Sequence, residues 1–252
     1  FESKERIVMD TKEASHVKVS DLWMELVRNR PLRILSFFFV IAFTTMSISN
    51  AADSYFMSYN IGATPMMTTV FMWLGTIPAF IFLPLLPSIK RKIGKAAMFR
   101  LFLGISIVGM ILMYVIVSIP SLSSCFPLVC AIQFIKSVGI LVATGYMWAL
   151  VPEVVTFGEY TTGRRVAAIV NAIICIFMKA GMALGGVIPG FVLAWVGFNA
   201  SNQVQTPLAQ QGILWLVTLI PAALFLLATF VIGKYELSDE KMDEINSSIT
   251  NK

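Results

Sequence analysis

Charge is what this sequence has least of. Only 13% of its 252 residues are charged and 57% are apolar, where a soluble globular chain sits nearer 25% and 45–50%. Histidine occurs once, as His16, and cysteine three times, at Cys125, Cys130 and Cys175. The cysteines make neither a metal spacing nor an even disulfide set, so they read as free thiols in packed helices. His16 lies in a polar stretch and reads as solvated rather than as a ligand. There is no nucleotide-binding glycine loop, nucleophile–base pair or metal cluster. Hydrolase, kinase and ATPase chemistry therefore has no support, and the chain reads as a non-enzyme without a cofactor of its own. It opens on Phe1 and has no signal-peptide pattern, which reads as a piece of a longer protein.

What is present is length and hydrophobicity. The mean hydropathy is +0.80, and six apolar segments each reach the roughly 20 residues that a hydrocarbon core demands. They are placed at 32–57, 65–88, 98–119, 126–150, 166–196 and 212–232. The fold class is thus all-α integral membrane. Residues 1–31 form a polar linker in which Ser20-Asp21 reads as a helix N-cap. Leu22, Trp23, Leu26 and Val27 then share one face of an amphipathic helix that stops before Pro31. The bundle takes 32–233 and a polar tail takes 234–252.

Lysine and arginine settle the orientation. Seventeen of the nineteen fall in the N-terminal segment, the second and fourth connections and the tail, with their adjoining helix starts. The connections at 58–64, 120–125 and 197–211 hold none. Both termini are therefore expected in the cytoplasm, and the net charge of +5 reads as a topology signal rather than a nucleic-acid footprint.

Three ionisable residues lie inside the spans: Asp53, Lys136 and Lys179. Such groups usually face a bundle interior or a water-filled cavity. At 1.5 Å per residue, Lys179 is roughly 20 Å into its helix, Lys136 roughly 15 Å and Asp53 roughly 30 Å. Both lysines thus fall near mid-membrane, whereas Asp53 is expected at the outer mouth, too far out to neutralise either. Asp53 then reads as a rim residue or a functional one, and Lys136 as a structural ion or a binding group. Their counter-charges must come from carboxylates outside this chain, from an anionic solute group such as a uronate, or from deprotonation. After Lys179, the Gly181/Gly185 and Gly186/Gly190 pairs permit close helix approach, and Pro189 suggests a kink. Glu153, Glu159, Arg164 and Arg165 are expected in a short connecting loop.

The motif F-G-E-Y at 157–160, with Arg165 and then Lys179 fourteen residues on, resembles the glycoside–pentoside–hexuronide:cation symporter family of the major facilitator superfamily. K-E-R-I-V, R-N-R-P, the Tyr55, Tyr59 and Gly62 spacing and K-R-K-I-G-K support it. The loop N-Q-V-Q-T-P and the G-G-V-I-P run point to its glucuronide carrier branch. The resemblance implies the C-terminal six-helix bundle of a twelve-helix fold in a bacterial inner membrane. It implies symport of a glycoside or hexuronide with Na⁺ or H⁺, the ion being held mainly by an N-terminal half. It implies that Lys179 links the ion and sugar sites and that Thr144 and Cys175 line the sugar pocket. Lys136 joins them as a candidate substrate contact on its depth alone. Glu153, Glu159 and Arg165 are implied in a cytoplasmic gating network. An exporter of amphipathic compounds and a non-transporting membrane scaffold are the competing classes.

Overall fold

The computed structural model describes residues 19–164 and 166–250; His16 and Arg165 lie outside them. A short amphipathic helix, α1 (Val19–Arg28), leads into α2 (Arg30–Tyr55). Ser20 lies within α1 rather than capping it. The cap that matters is Asn29, whose side chain accepts from Leu32 N at 3.0 Å and so opens α2, with Pro31 in its first turn. Proline is well placed there, because its missing N–H would have had no partner anyway. The Asn29 amide also donates to Glu25 Oε1 and to the Val154 carbonyl, which fixes the linker helix to the bundle.

After α2 the chain continues as a π-helical stretch, Phe56–Ile61, and turns at Gly62. The next span is α3 (Pro65–Phe82), a single 3₁₀ turn around Pro84, and α4 (Leu86–Ile93). The expected basic loop is mostly helix: Lys90, Arg91 and Lys92 form the last turn of α4, and Gly94 alone separates it from α5 (Lys95–Val117). A short α6 (Pro120–Ser123) precedes α7, which runs unbroken over Phe126–Thr162. Glu153 and Glu159 therefore stand on a helix, not in a loop. Falling hydropathy after Leu150 ends the apolar run, but the helix passes through Pro152 and ends only at the left-handed turn of Gly163.

Helix α8 (Ala167–Trp195) passes through Pro189 without a break. The last span begins earlier than expected and is interrupted, giving α9 (Pro207–Val217) and α10 (Leu219–Ile232) around Thr218. Pro221, lacking an N–H, cannot bond back to Val217 there. The tail is not merely polar chain: Ser238 Oγ accepts from Lys241 N, and α11 (Asp239–Thr250) follows. Leu237, Met242 and Ile245 pack with Phe157 and Tyr235, docking α11 on α7.

All six expected spans are present as helices long and apolar enough to cross a membrane. The spans of α2 and α7 are the most enclosed, at 67% and 61% buried, against 17% for Pro65–Ile93 and 22% for α8. So α2 and α7 form the heart of the bundle, while the α3 span and α8 present broad outer faces. Gly181 and Gly185 bring α8 against α2, with Thr44 Oγ1 donating to the Gly181 carbonyl at 3.1 Å. Gly186 and Gly190 face open space. Of the two expected small-residue pairs, only the first is a packing seam within this chain.

Candidate functional site

Lys136 and Asp53 meet at the centre of the bundle, with Nζ 3.0 Å from Oδ1. The expectation that Asp53 lies too far out was wrong, because α2 does not end near residue 57. The π-helical stretch carries the span on to Ile61, which leaves Asp53 roughly 12 Å short of that end. Lys136, counted from Phe126 at the same end, is roughly 15 Å in. The two charges are level, and Asp53 is buried rather than a solvated rim residue.

Three elements hold this pair. Helix α5 grips the backbone: Ser106 Oγ donates to the Lys136 carbonyl, and a Cβ on Gly109 would come within 2.8 Å of Lys136 N. Helix α7 adds Gln133, three residues before Lys136 and so on the same face. Its Nε2 donates to Asp53 Oδ2 at 3.1 Å. Helix α3 brings Phe71, whose ring centroid is 5.9 Å from the ammonium, within cation–π range. Removing one partner of such a buried pair costs about 3–5 kcal/mol, so the two charges depend on each other.

The pair borders a cavity of about 310 Å³ between α2, α3 and α7. That volume falls at the small end of ligand pockets. Ser49, Asn50, Thr76 and Ser137 add neutral polar groups to its wall, alongside Met46, Met72 and Ile140. Ser49 Oγ and Gln133 Oε1 are buried without a hydrogen-bond partner among the described residues. Buried polar atoms are seldom left so, and both belong to residues lining this space.

The other candidates are placed elsewhere. Lys179 and Cys175, four residues apart, share the exposed face of α8, and Lys179 has no ion-pair partner among the described residues. Neither lines the cavity. Thr144 is buried on α7 with its hydroxyl bonded to the Ile140 carbonyl at 2.8 Å. Glu159 is half-buried and makes no salt bridge among the described residues, and Arg164 is exposed.

Glu153 has partners that its sequence neighbours did not suggest. Lys95 Nζ lies 2.6 Å from Glu153 Oε1 and 2.8 Å from Asp239 Oδ1, and donates to the Leu237 carbonyl at 3.3 Å. Lys90 also reaches Asp239 at 2.9 Å, and Tyr235 donates its hydroxyl to Glu153. The start of α5, the end of α7 and the start of α11 are thereby tied together. Burial first, then the Glu153 charge, raises the Tyr235 phenol above its usual range, so it stays a donor.

For Asp239, burial acts to raise the carboxyl, but hydrogen bonds from Lys95 and Lys90 outweigh it and lower it below the ordinary value. A depressed carboxylate stabilises the fold above its unfolded pKa, about 3.9, and loses that contribution as pH falls through the folded value. Undocking of α11 is therefore expected below about pH 4 and not between pH 5 and 8. A dye on Ser247→Cys, with the native thiols removed, reads it; Asp239→Asn should abolish the acid transition.

Six apolar spans, three of them lining a cavity that holds a buried ion pair, are the build of a multi-pass membrane protein. The chain belongs to the MFS/sugar transport protein family, whose model matches residues 1–239. It is 38% identical to the uncharacterized symporter YnaJ of Bacillus subtilis (strain 168), over 99% of this chain and 52% of that protein. It is 32% identical to the glucuronide carrier protein homolog of Escherichia coli (strain K12), over 90% and 48%. A second symporter of Bacillus subtilis (strain 168), YjmB, is 29% identical over 96% and 51%. The chain spans about half the length of these relatives. The resemblance read from F-G-E-Y, Arg165 and Lys179 is thus borne out at the level of the family.

Proposed function

We propose that this chain is the C-terminal six-helix half of a symporter that carries a glycoside or hexuronide together with Na⁺ or H⁺. The observation that carries the reading is the cavity between α2, α3 and α7, set with an ion pair inside apolar spans. Transport proteins of this kind place their sites near the bilayer midplane and alternate access by rocking one bundle against another. The half-length match to the relatives supports a second, N-terminal half as the partner. The name of the glucuronide carrier homolog favours a sugar acid. The basic end, carrying Lys90–Lys95 and the tail, is assigned to the cytoplasm of a bacterial inner membrane.

Lys179 is given the coupling role. An ammonium on the outer face of an apolar span costs roughly 2.5–3.5 kcal/mol unless it is answered. Acids of the N-terminal half that also bind the coupling ion would answer it. Thr144, Cys175 and Lys136 are assigned to sugar contact, and Glu153, Glu159 and Arg165 to closure at the cytoplasmic end. The test is uptake of labelled glycosides by vesicles holding the complete transporter, with and without a sodium or proton gradient. Gradient-driven uptake is expected, and Lys179→Ala should reduce it about 100-fold, a loss of ~2.7 kcal/mol in coupling. Uptake indifferent to both gradients, or unchanged in Lys179→Ala, would overturn the reading. Outward movement of amphipathic compounds instead would favour an exporter.

A further inference from the structure

We infer that Lys136 and Gln133 form an acid-group subsite for the carried sugar, held in this structure by the carboxylate of Asp53, which a sugar carboxylate displaces. This rests on the reading of the chain as a sugar transporter and names the substrate class: a sugar acid, such as a uronate.

Three observations carry it. First, position: Asp53 and Lys136 both border the cavity, and the Asp53 side chain is 12% exposed against 1% for Lys136, so the carboxylate is the more accessible of the two. Second, chemistry: Lys136 and Gln133 between them offer a carboxylate one donor on each oxygen, at 3.0 and 3.1 Å. An incoming carboxylate has the same shape and charge and can take the same two donors. Asp53, freed, is then the negative charge that a co-transported cation would answer.

Third, the unpaired atoms: Gln133 Oε1 is an acceptor and Ser49 Oγ can donate or accept, and neither is partnered among the described residues. The Gln133 amide cannot be turned to relieve this, because its nitrogen is needed on Asp53. Both atoms suit the hydroxyls that flank the carboxylate of a sugar acid. The remaining polar lining groups are neutral: Ser49 and Asn50 from α2, Thr76 from α3 and Ser137 from α7. Among the described residues, Lys136 is the one fixed positive charge on the cavity wall. Nothing else there would select an acid over a neutral sugar.

The test uses the purified complete transporter and thermal unfolding with D-glucuronate or D-glucose as probe. Asp53→Asn leaves Lys136 without an anion and should lower the melting temperature. Glucuronate should restore it, shifting this variant more than the unaltered protein, and glucose should not. Equal shifts by the two sugars, or a smaller glucuronate shift in Asp53→Asn, would overturn the subsite.

Where Asp53→Asn does not accumulate, the isosteric neutral pair Asp53→Asn/Lys136→Gln keeps the question open to refutation. It should lower uptake of 4-nitrophenyl β-glucuronide relative to the matching glucoside about thirty-fold, ~2 kcal/mol. Equal losses count against the subsite. Absence of uptake in the unaltered protein counts against the transport reading instead, and the thermal shifts still decide the subsite.

Discussion

Replacing Gly139 by leucine is expected to leave no folded protein. Gly139 lies on α7 where it crosses α5, and a Cβ there would overlap the Phe102 carbonyl and Ser106 Oγ. The first of these is backbone, so no side-chain rotation relieves the clash, and the two helices must separate. That separation would also break the bond from Ser106 to the Lys136 carbonyl, loosening the charged pair from behind. Gly139→Ala should already cost about 3 kcal/mol, the upper end for overpacking. Gly104, on α5, has nothing within 4 Å of where its Cβ would stand. Gly104→Ala should be neutral or stabilising by about 0.5–1 kcal/mol, since glycine is a poor helix former. Monodispersity in detergent and melting temperature measured side by side check both; a well-folded Gly139→Leu would show that the seam is not packed as described.

Lys95→Met should release the tail helix. Lys95 is buried and bridges Glu153 to Asp239, and its removal leaves a largely buried Glu153 carboxylate with only the Tyr235 hydroxyl. A cost of about 3 kcal/mol is expected. Because most of it comes from the stranded carboxylate, adding Glu153→Gln should recover more than half, a non-additivity that marks direct coupling. A dye on α11 should report undocking at neutral pH in Lys95→Met and redocking in the double variant. Simple additivity of the two losses would mean that the cluster is held by something other than this bridge.

The six spans were legible in the sequence because apolar length is a direct consequence of the bilayer's thickness. Their ends were less so. Hydropathy falls at Glu153, yet α7 continues to Thr162, because a helix is ended by its backbone and not by loss of apolar side chains. The error over Asp53 has the same origin: nothing in F-M-S-Y-N-I announces a π-helical extension, and without it the depth was miscounted. Lys136 and Asp53 were both visible as costly residues, and Gln133, three places before Lys136, was a signal left unread. Their meeting was not legible, since the two partners are 83 residues apart and belong to different helices. Lys95 was read only as a topology charge, and its buried role needed α11 folded back against α7.

Helix α7 carries both Lys136 of the central ion pair and, 17 residues further on, Glu153 of the tail cluster. Its 37 residues make a strut about 55 Å long, nearly twice the thickness of a hydrocarbon core. Lys136 and Glu153 are separated along it by about 25 Å. A rigid tilt of about 10° pivoting at Lys136 would swing Glu153 through roughly 4 Å, more than a salt bridge can stretch. The strut therefore works as a mechanical amplifier. The clasp of Lys95, Glu153 and Asp239 can stay fastened at only one inclination of α7, whichever end the push arrives from.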